Sequence, residues 1–163
     1  MKRRAIAWAE MIVLFFALYA GIPWVGLQID RWLRISPWPP PIQWIGFGLF
    51  AFGLLGLAWC FLLFARVGRG TPNPSLPPQA LVIVGPYAWT RNPIALFHAA
   101  ALFGLSLFLG SVSAAAIVVL LSAPVHVAML REERTLERRF GEAYAAYRDR
   151  VPRWIPRRPK DQS

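Results

Sequence analysis

Apolar residues run through this chain in long unbroken stretches with short polar punctuation, not in the alternation or narrow stripes of a water-soluble fold. No Asp, Glu, Lys or Arg occurs from Ile35 to Ala65, and Arg91 is the only one between Gly70 and Leu130. A helix needs roughly 20 apolar residues to cross the hydrocarbon core of a bilayer. The runs predict four such spans, at about residues 5–29, 42–65, 93–109 and 112–130. The first begins after Lys2-Arg3-Arg4 like a signal peptide. Its apolar stretch continues through Ile22-Pro23-Trp24-Val25, past any short hydrophobic leader, so it reads as a retained span. Gly110-Ser111 leaves almost no loop between the last two, which predicts a tight antiparallel hairpin. Asn92-Pro93 is a good start for its first helix, because Asn caps and a proline at the first helical position loses no needed hydrogen bond.

The expected fold is therefore an all-α integral membrane protein, a single domain over residues 1–163. A loop over 66–92 and a tail over 131–163 lie outside the spans. Composition agrees: hydrophobic residues make up 56% and charged ones 16%, against roughly 25% charged in an ordinary soluble domain. Within the tail, Leu136, Phe140, Tyr144 and Tyr147 fall on one stripe and predict an amphipathic helix. That helix either lies on the membrane surface or folds back as a lid.

Charge adds direction. With the N-terminus inside, sixteen Lys and Arg fall on the cytoplasmic side, and only Arg31 and Arg34 on the other. By the positive-inside rule both termini are cytoplasmic, in what reads as a bacterial inner membrane. The net charge of +10 does not indicate a nucleic-acid binder, because the cations cluster at span ends and not on one solvent face. It indicates contact with anionic lipid. Cys60 stands alone inside an apolar run, so no disulfide framework is expected, and two histidines without clustered acids offer no metal site.

Ionisable groups within spans are functional candidates by default. His98 lies seven residues after Arg91, and His126 seven before Glu133, two turns along one face in each case. In an antiparallel hairpin this puts both histidines roughly 10 Å inside the same end. A polar pocket between the two helices is expected there, with Arg91, Glu132 and Glu133 at its mouth. The two glutamates stand near the C-terminal end of a span, where the helix dipole disfavours anions. Either nearby arginines pair them, or one awaits a cationic ligand. Gly46, Gly48, Gly53 and Gly56 on the second span permit close helix packing, within one chain or between two.

The stretch from Leu81 to Pro93, LVIVGPYAWTRNP, resembles a signature of the isoprenylcysteine carboxyl methyltransferase and phospholipid N-methyltransferase superfamily. So does Glu132-Glu133 with Leu136, Phe140-Gly141-Glu142, Tyr144, Tyr147 and Val151-Pro152-Arg153. The resemblance implies an integral membrane methyltransferase that uses S-adenosyl-L-methionine on a lipophilic, membrane-borne acceptor. By position it implies that Gln79, Leu81, Val82, Tyr87, Asn92, Pro93, Glu132 and Glu133 bind the cofactor. Arg91, His98 and His126 are the candidate catalytic groups: a carboxylate acceptor wants a cation such as Arg91, and an amine acceptor wants a neutral histidine to take its proton. Three positions depart from the family pattern. Ala95 and Phe97 replace its tyrosine and glycine, and Ala128 stands where the isoprenylcysteine enzymes carry an arginine. These departures keep a non-enzymatic membrane scaffold in view, and the resemblance of the C-terminal hairpin to membrane sterol reductases adds a nicotinamide-dependent membrane reductase as a third class.

Overall fold

The computed structural model describes residues 9–10, 12–68 and 79–156. Lys2-Arg3-Arg4, the proline-rich stretch 69–78 and the final residues 157–163 lie outside them. Among the described residues every regular element is helical. Helix α1 spans Ile12–Leu33, α2 Pro40–Gly68, α3 Pro93–Phe108, α4 Val112–Phe140 and α5 Glu142–Arg150. A short 3-10 turn, Gly85–Ala88, precedes α3. Three of the helices, α1, α2 and α4, are long and apolar enough to cross a membrane, and α3 is a shorter apolar helix of 16 residues. This is a membrane protein.

The boundary between the fourth span and the tail differs from expectation. The fourth apolar run does not end in a separate surface helix after Leu130, because α4 continues unbroken to Phe140. The predicted stripe Leu136, Phe140, Tyr144 and Tyr147 is consequently shared between α4 and α5, which part at Gly141. Gly141 adopts φ 52°, ψ −127°, a conformation that L side chains avoid.

Lipid is as apolar as leucine, so close fit rather than water exclusion holds membrane helices together. The α2–α3 pair shows how. A Cβ placed on Gly53 would stand 2.5 Å from the Ala101 backbone nitrogen, and one on Gly46 would stand 2.6 Å from that of Phe108. One on Gly56 would collide with the Phe97 ring. The glycines on this face therefore serve packing within one chain, while Gly48 faces open space. Phe97, one of the departures from the family pattern, sits on Gly56 and makes an edge contact with Phe52 at 5.6 Å. Its bulk is taken up by a glycine on the neighbouring helix.

At the hairpin end, α1 is fastened to the start of α4. Asp30 accepts the Ser113 backbone N–H at 3.0 Å and also the Ser111 hydroxyl, while Ser111 Oγ accepts the Ala114 N–H at 3.1 Å as the N-cap of α4. Ile22, Leu102 and Ala114 close a small core among α1, α3 and α4 just above this clip. Beyond it α4 changes character. Residues 119–125 are exposed all around the helix, and α4 is buried again only at Glu133.

Candidate active site

Glu133 returns α4 to the protein at the end where α2 stops and α3 begins. The approach to α3 is built by the Gly85–Ala88 turn, where Gly85 takes φ 61° and Pro86 opens the turn. The turn drives Tyr87 inward against Cys60 and Phe64, with ring centroids of Tyr87 and Phe64 5.5 Å apart. The chain then passes Thr90, Arg91 and Asn92 and enters α3 at the buried Pro93.

A strap formed by the residues after α5 lies along this approach. The Arg91 N–H donates to the Pro152 carbonyl at 2.9 Å. The Arg153 carbonyl accepts from the Thr90 hydroxyl at 2.8 Å and from Asn92 Nδ2 at 3.3 Å. The Arg153 side chain forks onto Glu133, Nε to Oε1 and Nη2 to Oε2, both at 2.9 Å. Arg91 Nη1 stands 3.1 Å from Glu133 Oε2, and Asn92 Nδ2 donates to Oε1 at 3.5 Å. Helix α5 is held down by Tyr147, whose hydroxyl donates to the Tyr87 carbonyl at 2.8 Å. Tyr144, Tyr147 and Val151 pack with Leu81, Leu136 and Phe140 beneath it. The tail thus folds back onto the site, the second of the two placements open from the sequence.

Glu133 carries one negative charge between two guanidinium groups, so the cluster is cationic. Arg91 is 9% exposed and Glu133 10% at their side chains, and a pair so buried fully offsets its desolvation only where its remaining donors find partners. Here they do not all do so. Arg91 Nε is buried without a hydrogen-bond partner among the described residues, and the Tyr144 hydroxyl faces the Arg91 guanidinium without a well-aligned bond. Burial pushes the phenols of Tyr87, Tyr144 and Tyr147 above the ordinary tyrosine range, so they remain O–H donors. The cluster therefore holds unused donor capacity that suits a ligand bearing acceptor oxygens.

The other expected site residues fall around this centre. Val82 is buried on Tyr87 and Cys60, and Leu81 packs on the α5 cluster, so neighbouring residues serve opposite sides of one extended strand of chain. Gln79 is exposed, its backbone N–H bonded to the Gly68 carbonyl at 2.8 Å. Glu132, one residue from the buried Glu133, is exposed and makes no ion pair among the described residues. The two glutamates therefore divide the alternatives left open by the sequence: Glu133 is the paired one, Glu132 the unpaired one.

The histidines do not form the shared layer expected of them. His98 Nδ1 lies 3.0 Å from the Tyr19 hydroxyl of α1, beside the π-helical turn Ala17–Gly21. His126 Nδ1 lies 3.0 Å from Trp154 Nε1 in the strap. No hydrogen bond or ring contact joins the two among the described residues. Indole nitrogen only donates, so the bonded nitrogen of His126 is the acceptor and its proton sits on the other one. With the strap in place His126 offers an N–H, not a lone pair. Tyr19, Thr90, Arg153 and Trp154 were missed as site residues. Arg153 had a signal, since a glutamate turned inward beside a span needs a counter-charge. Tyr19 had only the general expense of a polar group in a span.

Comparison with known sequences decides the family. Residues 42–143 match the phospholipid methyltransferase family, a stretch from the start of α2 to the first turn of α5 that includes the turn, Arg91 and Glu133. The chain belongs to the phospholipid methyltransferase family. It is also 31% identical over 122 residues to the nickel-cobalt-cadmium resistance protein NccN of Alcaligenes xylosoxydans xylosoxydans, a match covering 70% of this chain and 53% of that protein. The chain thus spans about half the length of that relative.

Proposed function

We propose that the protein transfers a methyl group from S-adenosyl-L-methionine to a lipophilic acceptor drawn from the bilayer. The site is the Arg91–Glu133–Arg153 cluster, in one membrane domain with both termini cytoplasmic. The carrying observation is the pairing of unused donors on buried Arg91 and Tyr144 with the unpaired carboxylate of Glu132. S-adenosyl-L-methionine bears a carboxylate and two cationic centres, and supplies an electrophilic methyl group on a sulfonium. Arg91 and Tyr144 suit its carboxylate and Glu132 its positive charge. Gln79, Leu81, Val82, Tyr87, Asn92 and Pro93 line the approach.

The residues then have separate tasks. Leu81, Val82 and Tyr87 exclude water, which the in-line geometry of methyl transfer requires. The exposed middle of α4 leaves a lateral way in from lipid. An acceptor carboxylate is already nucleophilic and needs only orientation, which the cationic cluster provides. An acceptor amine must lose a proton, and His98 is the group to take it. When Nδ1–H of His98 donates to Tyr19, the Nε2 lone pair is free for that role.

The test is transfer of labelled methyl from S-adenosyl-L-methionine into the lipid extract of membranes carrying the full chain. Label released by mild alkali marks a methyl ester, and label that resists it marks an N-methyl amine. His98→Ala is expected to abolish the second and spare the first, and Arg91→Gln to abolish both. Absence of label from membranes containing folded protein would refute the proposal.

A further inference from the structure

The outer face of α4 carries a second constellation, turned away from Glu133. Leu120, Val127, Arg131, Arg134 and Arg138 follow one another at intervals of seven, four, three and four residues, a single stripe along a helix. Leu120 is 73% exposed and Val127 47%, so much of the apolar part of the stripe is left uncovered by the described residues. Its continuation is cationic. Arg131, Arg134 and Arg138, with Thr135 among them, line a shallow open cleft of about 650 Å³. None of the three arginines is paired with a carboxylate among the described residues. Arg138 is folded back along the helix, its Nε on the Arg134 carbonyl at 3.3 Å and its Nη2 on Thr135 Oγ1 at 3.4 Å. Glu137, the acid bordering the cleft, is engaged by Arg148 Nη1 at 2.6 Å.

We infer that this stripe binds one anionic phospholipid, its phosphate between Arg131, Arg134 and Arg138 and its acyl chain along Val127 and Leu120. Guanidinium forks match phosphate oxygens, and Thr135 adds a hydroxyl donor. An apolar stripe running without a break into a cation cluster matches a molecule with a chain at one end and an anion at the other. A soluble anion would leave the apolar half unused. The site lies on the face opposite the cluster around Glu133 and does not depend on methyl transfer.

Native mass spectrometry of the detergent-purified full chain, with phosphatidylglycerol competing against phosphatidylcholine, tests this. A preference for phosphatidylglycerol is expected, and the combined variant Arg131→Gln, Arg134→Gln, Arg138→Gln is expected to lower it by about ten- to a hundred-fold. A charge-matched control, Arg31→Gln, Arg139→Gln, Arg150→Gln, is expected to keep it. The single Arg134→Gln variant is expected to lose several-fold and guards against a general failure of the triple variant. An equal loss in both triple variants would show diffuse attraction and overturn the site, as would a preference retained without the stripe. Glycerol phosphate is expected to compete poorly; competition as strong as that of the lipid would overturn the role of the apolar stripe.

Discussion

Two parts of the molecule are held together in opposite ways. Between α2 and α3, glycines let backbones approach until a single added methyl has no room, and the contact carries almost no polar chemistry. Around Glu133, four chain segments (the approach to α3, α4, α5 and the strap) meet through directional bonds: two arginines, an asparagine, a backbone carbonyl shared by two donors, and a tyrosine hydroxyl. Shape fixes the first pair permanently, because nothing can be exchanged there without separating the helices. The second assembly is made of bonds that a charged ligand can rearrange. The difference explains why one region is scaffold and the other is suited to chemistry, although both lie at the membrane.

The contrast can be broken most severely at the helix pair. Gly53→Leu must drive α2 from α3 and is expected to remove more than about 3 kcal/mol of stability, read as a collapse of the thermal unfolding midpoint in detergent. The same replacement at Gly48, which faces open space, is expected to stay within about 0.5 kcal/mol. In the polar assembly, Glu133→Ala leaves Arg91 buried without its counter-charge and is expected to lower stability by about 3 kcal/mol and abolish turnover together. Asp30→Ala removes the partner of two α4 donors at the far end and is expected to lower stability by about 2 kcal/mol while cofactor binding survives. Smaller than the Glu133 and Asp30 effects is that of Trp154→Phe. Loss of its bond to His126 is expected to change stability by about 1 kcal/mol, and to make the strap cleave faster in limited proteolysis.

Much of this was legible in the chain. Uninterrupted apolar runs leave no alternative to membrane helices, and the fixed blocks around Arg91-Asn92-Pro93 and Glu132-Glu133 named the family and most of the cluster. What periodicity could not deliver were the partners. His98 and His126 share a depth by counting, yet Tyr19 and Trp154 claim them from different sides, and a count along two helices contains neither. The switch from apolar to charged residues at Arg131 ends the apolar run but does not say whether the helix carries on into the tail. A helix leaving the bilayer continues as long as its backbone allows, here to Gly141. Arg153 became visible as a site residue only once the fold laid the strap beside Glu133.

The measurement closest to the central claim is calorimetric binding of S-adenosylhomocysteine to the detergent-purified protein, with Glu132→Ala and Tyr144→Phe beside it. Micromolar binding by the native chain is expected, lost in Glu132→Ala, weakened in Tyr144→Phe, with all three unfolding at similar temperatures. A well-folded native chain that binds no S-adenosylhomocysteine, or a Glu132→Ala variant that binds it as tightly, would contradict the assignment of this cluster.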